Sequence, residues 1–302
     1  MSDSARRATR GYLPMSCGQM HYAMLGRGPA VLLLHQSPSS GAMWLPLLPA
    51  LAAAGRTALA PDLPGYGASD PPAQTPALED YARLTLEFLD GHGITRCDLV
   101  GHHTGAAVGL QLAACWPDRV RRMVLWGVPL LNQRLSEQLS AEEAPSYDAE
   151  GEALKAWWIR RRSFLGEFRE DVLIRSTVEM LQTGHRRPWG HWAVARADMP
   201  ALLARVAHPT LVLAGERDPV WSRAQEAAGR LAGGSFRAMP GAGMDIVDQA
   251  PDELARLVIG FLAEDQGSAD ATLAPAPEID RRRRPPSGRP GRPSRSTHRR
   301  GA

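Results

Sequence analysis

Apolar residues along this chain recur in two rhythms. Residues 30–35 form a continuous apolar run closing on His35, the pattern of a strand buried on both faces. Residues 57–60 make a shorter run that ends in Pro61-Asp62-Leu63-Pro64-Gly65-Tyr66-Gly67, a dense turn signal. Over residues 77–90, Leu78, Tyr81, Ala82, Phe88 and Leu89 fall at helical spacing, and Gly91 and Gly93 end the helix. Strands are predicted again at 120–126, 210–214 and 235–239. Helices are predicted near 221–231 and after Pro251, where Leu254, Leu257, Val258, Phe261 and Leu262 share one face. Residues 19–25 alternate loosely and predict an antiparallel edge strand. Strands and helices alternating at this spacing imply an α/β fold with a mostly parallel sheet covered on both faces.

Between about residues 130 and 200 the strand rhythm is lost. Helical stretches rich in Trp, Arg and Met replace it, and this predicts an inserted helical cap over 131–200 that divides a core of 18–130 and 201–263. Residues 1–17 are expected to be an N-terminal extension. Residues 264–302 are dominated by Pro, Arg, Gly and Ser, with no apolar set to offset the entropy of ordering, and are expected to be a disordered basic tail. From residue 266 on, nine Arg face only Asp270, Glu278 and Asp280. The tail is thus +6 in a chain of net charge +3, leaving the remainder at −3. A mildly acidic folded part carries no nucleic-acid footprint. Cys17, Cys97 and Cys115 lack metal or Cys-x-x-Cys spacing. With a polar N-terminus and no run of membrane-span length, they imply a soluble cytoplasmic protein without a membrane partner.

The stretch 98–113, Asp-Leu-Val-Gly-His-His-Thr-Gly-Ala-Ala-Val-Gly-Leu-Gln-Leu-Ala, reads as a buried strand, a sharp turn and an apolar helix. Such a turn forces its central residue into a strained conformation and needs very small residues two places to either side. Gly101 and Gly105 meet that need around His103. Histidine enters positive φ comparatively readily, and no other register of the turn supplies small neighbours.

With this turn, three further features resemble the α/β-hydrolase family over roughly residues 18–263, in the capped branch that includes haloalkane dehalogenases and epoxide hydrolases. His35-Gln36-Ser37-Pro38-Ser39-Ser40 is similar to the loop after the third strand, with Gln36 where glycine is usual. Asp62-Leu-Pro-Gly-Tyr-Gly-Ala-Ser-Asp70 is similar to the next loop, and Leu213-Ala-Gly-Glu-Arg-Asp218-Pro219 to the loop bearing the triad acid. The resemblance implies an eight-stranded sheet and a small-molecule substrate beneath the cap. It also implies an oxyanion hole from the Ser37 and Thr104 amides, and no cofactor or metal. Two of the three triad positions depart from it. His103 stands where the nucleophile belongs, and Gly241-Ala-Gly-Met244 stands where the base histidine belongs.

A serine acyl-enzyme with a His-Asp relay cannot be assembled from these residues. His103 and Asp218 are the candidate catalytic pair, and Asp218 also reads as a turn residue before Pro219. His103 admits three roles: general base, nucleophile forming an acyl-imidazole, or shaper of a ligand pocket without turnover. Hydrolysis, lyase or isomerase chemistry by proton abstraction, and inactive ligand binding therefore all remain open. His35, Gln36, His102, Trp126, His191 and Met244 are the candidate substrate contacts, and a cap histidine, His185 or His191, is a candidate for the missing base. A metal held by His35, His102 and His103 is disfavoured, since adjacent His102 and His103 are expected to point apart.

Overall fold

A computed structural model describes residues 7–165 and 169–263. Eight strands form one sheet: β1 (Thr9–Met15), β2 (Gly18–Leu25), β3 (Ala30–Leu34), β4 (Thr57–Pro61), β5 (Cys97–His102), β6 (Val120–Trp126), β7 (Thr210–Gly215) and β8 (Gly234–Met239). Their order across the sheet is β1-β2-β4-β3-β5-β6-β7-β8. The β1–β2 and β2–β4 pairs are antiparallel and the others parallel. The strands predicted from unbroken apolar runs are the central ones, and every residue of β3, β4, β5 and β7 is buried.

Helices cover both faces, as parallel connections require. On one face lie α2 (Leu78–Gly91), α3 (Thr104–Cys115) and α9 (Trp221–Arg230). On the other lie α1 (Leu48–Ala53), α10 (Ile246–Gln249) and α11 (Pro251–Ala263). The helix α3 is apolar nearly all round and is buried accordingly, whereas α11 buries one stripe of Leu254, Ala255, Val258 and Leu262. Asp80 starts α2 by accepting from the Ala77 amide at 3.0 Å.

Between β6 and β7 lie α4 (Gln133–Ser140), α5 (Glu152–Phe164), α6 (Glu170–Thr183), α7 (Trp189–Ala195) and α8 (Met199–Arg205). This insertion does not behave as one separate layer. Ala193, Val194, Met199, Leu202 and Leu203 of α7 and α8 join the main core, while α5 and α6 share only a small cluster of Leu165, Val172 and Leu173 with Trp158.

The N-terminal boundary also differs from expectation. Thr9–Met15 lies within the stretch read as an extension, yet it pairs along its whole length with β2 and displaces β2 from the sheet edge. Pro14 hid this strand in the sequence, and an edge strand tolerates a residue that cannot donate to a ladder. The expectation of a disordered tail concerns residues outside those described. Among the described residues no helix is long and apolar enough to cross a membrane, and no cluster of three metal-ligating side chains occurs.

Candidate functional site

His103 sits between β5 and α3 with φ 45° and ψ −107°, the one non-glycine residue at positive φ among those described. Holding a side chain in that region costs about 1–3 kcal/mol, and the surroundings enforce it. A Cβ on Gly105 would come within 2.1 Å of the Leu34 carbonyl oxygen, and one on Gly101 within 2.7 Å of Ala106 Cα, so the turn closes only with glycine at both places. The His103 amide donates to the Trp126 carbonyl at 2.9 Å, which ties the turn to β6.

The imidazole reaches across the end of β6 to the loop after β7. There His103 Nε2 lies 2.8 Å from Asp218 Oδ2. The same oxygen accepts from the Trp126 indole at 3.1 Å, and Asp218 Oδ1 accepts from the Val220 amide at 3.0 Å. Burial opposes ionisation of Asp218, but the electrostatic attraction of His103, its hydrogen bond and the Val220 amide outweigh it and hold the carboxyl below its ordinary range. Asp218 is therefore both the turn residue and the partner of His103. The path between them runs past Gly127, at φ 59°, where a Cβ would sit 2.2 Å from His103 Cδ2.

Behind this pair lies His102. Its ring stacks on that of His103, with centroids 4.7 Å apart and planes at 15°, so the two neighbours lie face to face rather than pointing apart. Both His102 ring nitrogens are buried, with the Met244 backbone as a polar neighbour of the ring. Burial, reinforced by the neighbouring His103, pushes its pKa well below the usual histidine range and keeps the ring neutral.

A cavity of ≈ 190 Å³ opens above His103. Of the expected contacts, Gln36, Ser37, Thr104, His191 and Met244 line it. His35, His102 and Trp126 do not. His35 is fully buried, with Nδ1 2.8 Å from the Gln36 carbonyl and Nε2 accepting from the Leu63 amide at 2.7 Å, so it fixes two loops instead of meeting a ligand. His102 and Trp126 support the pair from behind. The Thr104 amide opens α3, where helix N–H groups lack intrahelical acceptors, and the Ser37 amide lies 3.4 Å from Thr104 Oγ1. His185 contacts Trp189 and is not part of the cavity wall.

The rest of the wall comes from the insertion and from the loops it faces, and carries charges that local sequence reasoning missed. Arg161 meets Asp245 through two hydrogen bonds, both side chains being buried, and Arg175 meets Asp248 at 2.9 and 2.6 Å. Glu179 accepts from the Ser39 and Ser40 hydroxyls at 2.8 and 2.6 Å. Burial raises its pKa despite those bonds and the nearby Arg175. His191 is bound to Glu142, with Nδ1 2.5 Å from Oε2.

The family model described as alpha/beta hydrolase fold matches residues 29–145. A 2-hydroxymuconate semialdehyde hydrolase from Pseudomonas sp. (strain CF600) is 30% identical over 205 residues, covering 65% of this chain and 72% of that protein. Bifunctional epoxide hydrolase 2 of Sus scrofa is 32% identical over 148 residues, or 46% of this chain. The chain spans about a quarter of the length of the bifunctional epoxide hydrolases it matches. Among solved structures, a hydrolase from Pseudomonas aeruginosa PA01 superposes with TM-score 0.69 and 27% identity over 84% of this chain and 98% of that one. The chain belongs to the α/β-hydrolase fold family.

Proposed function

We propose that this protein is an enzyme acting on a small carbonyl compound through an Asp218–His103 dyad, without a hydroxyl nucleophile and without a cofactor. The observation that carries this reading is the 2.8 Å contact between His103 Nε2 and Asp218. Asp218 accepts a hydrogen bond from the Nε2–H and thereby fixes the tautomer. The lone pair is left on Nδ1, which has no protein partner among the described residues. One residue then occupies the position of the usual nucleophile and does the work of the usual base.

In the hydrolytic form of the reaction, His103 Nδ1 accepts a proton from a water molecule as its oxygen attacks the substrate carbonyl. The Thr104 and Ser37 amides stabilise the oxyanion, and the imidazolium returns the proton to the leaving group while Asp218 stabilises its charge. Similarity to hydrolases, including one named for a semialdehyde substrate, supports hydrolysis as the class. A second reading uses the same base to remove a proton beside the carbonyl and the same amides to hold the enolate, giving lyase or isomerase chemistry. It is favoured because, among the described residues, the His103 ring is hydrogen-bonded to Asp218 and to no hydroxyl. In both readings residues 131–200 act as the cap, and the unpaired cysteines support a cytoplasmic location.

The test is His103→Gln assayed against a panel of activated esters and lactones. Turnover should fall by about 10²–10⁴-fold, the range for a lost general base. Rapid-quench mass spectrometry of the wild-type protein should find no acyl adduct. Activity retained in the variant, or a covalent acyl group on any residue, overturns the reading. Ligand affinity retained with no turnover in either protein identifies a binding protein of this fold.

A further inference from the structure

One part of the cavity wall holds more hydrogen-bond donors than the protein itself can use. Glu142 is surrounded by His191, by Arg187 at 3.3 Å and by the charge of Arg160. Burial disfavours its ionisation, but these neighbours outweigh burial and hold it below the ordinary carboxylate range. Two arginines are permanently charged against this one carboxylate, before His191 is counted. Of the other charged groups on the wall, Arg161 is paired with Asp245, Glu179 with two seryl hydroxyls, and Arg175 with Asp248 through both terminal nitrogens, its Nε alone left over.

Two donors beside Glu142 are also left over. The Arg187 Nε–H and the Trp157 indole N–H are both buried and have no acceptor among the described residues. Their side chains touch, with the Arg187 guanidinium 5.9 Å from the Trp157 ring centroid, and both line the cavity together with Arg160. Buried donors are ordinarily satisfied, so adjacent orphans of one kind on a cavity wall mark the place of an external acceptor. Planar, charged donors favour a carboxylate in that place.

We propose that Arg187, Trp157 and Arg160 receive a carboxylate carried by the substrate, so that the protein acts on small carbonyl compounds bearing an acid group. The substrate class rests on the reading of His103 as the base, whereas carboxylate binding does not. The acid end is held on the insertion and the carbonyl meets His103 on the sheet. The separation between these two points sets which chain lengths are turned over.

The experiment compares mono-p-nitrophenyl succinate with its neutral methyl ester, and measures binding of succinate and succinamide calorimetrically to the His103→Gln protein. The anionic ester should be preferred by roughly tenfold or more in kcat/KM, as expected for hydrogen bonds to a charged group. Arg187→Gln and Trp157→Phe should each bring that ratio toward one, the second variant serving if the first fails to fold. Succinate should bind at least about tenfold more tightly than succinamide. Equal kcat/KM for the two esters, a ratio unmoved by both variants, or equal binding of acid and amide overturns the proposal. Tight succinate binding with no turnover of either ester keeps the carboxylate site and removes the base assignment instead.

Discussion

The floor and the roof of the cavity are built by different physics. The floor is the carboxyl edge of a buried sheet, where His103 and Asp218 are fixed by backbone turns, by glycine at 105 and 127, and by a tryptophan from the intervening strand. Its supports are buried side chains and backbone donors. The roof over α5 and α6 shares one small apolar cluster and leaves Ile159, Ile174, Val178 and Leu181 exposed. It is held to the core by charge, through Arg161–Asp245, Arg175–Asp248 and Glu179 on Ser39 and Ser40. Hydrophobic burial sets the position of His103 and Asp218, and paired charges set the shape of the space above them. Perturbing the two regions should therefore have separable consequences.

The largest effect belongs to the floor. Asp218→Asn should lower kcat/KM by about 10²–10⁴-fold while leaving succinate affinity nearly unchanged, because it removes the group that fixes the His103 tautomer. Less than a tenfold loss in steady-state assays breaks the dyad. For the roof, Asp245→Ala leaves the buried Arg161 unpaired and should cost about 3–5 kcal/mol in urea unfolding, whereas Arg161→Met with Asp245→Leu should recover most of that loss. A single variant as stable as the wild type would show that the pair does not hold the roof.

Returning to the floor, Trp126→Phe deletes one donor to the Asp218 carboxylate. The expected penalty is about 1.5–3 kcal/mol, read as a fall in kcat with little change in KM. The smallest effect is on pH dependence. Burial lowers the pKa of both His35 and His102 below the ordinary 6.5, so the unfolded chain takes up these protons first. Stability is then fully present above about 6.5 and declines as pH falls, by at most about 1.4 kcal/mol per pH unit for each group. His102→Leu should make that decline shallower in thermal melts between pH 7 and pH 5. An unchanged slope would mean that His102 binds a proton equally in both states.

The central strands and the turn at His103 were legible because their requirements are local. Unbroken apolar runs of four to six residues announce buried strands, and small residues on either side of a strained position announce the turn. Among the proposed site residues, Asp218 and the loop at Ser37 could be placed by the order of similar motifs along the chain. Their meeting could not be read, since it depends on the imidazole at 103 crossing the end of a strand 115 residues away from its partner in sequence. His35 and His102 carried a misleading signal. A histidine near a motif reads as a ligand contact, and only burial reveals that one ring fixes backbone while the other packs behind the dyad. The charges of the roof were silent for a simpler reason. Arginines on an amphipathic helix look solvated unless their partners are known, and Arg175 and Asp248 lie 73 residues apart. The edge strand Thr9–Met15 was hidden by its proline.

The bare backbone at Gly127 binds the fates of two positions together. A methyl group there is opposed by the chain's own dihedral angles, by the ring of His103, and more weakly by Asp218 Oδ2 at 3.1 Å, so alanine is excluded on more than one count in this protein. Replacing the histidine with a short side chain lifts only the second objection. Substitutions at 103 and 127 must therefore be non-additive, and the order in which they are introduced decides which intermediates survive.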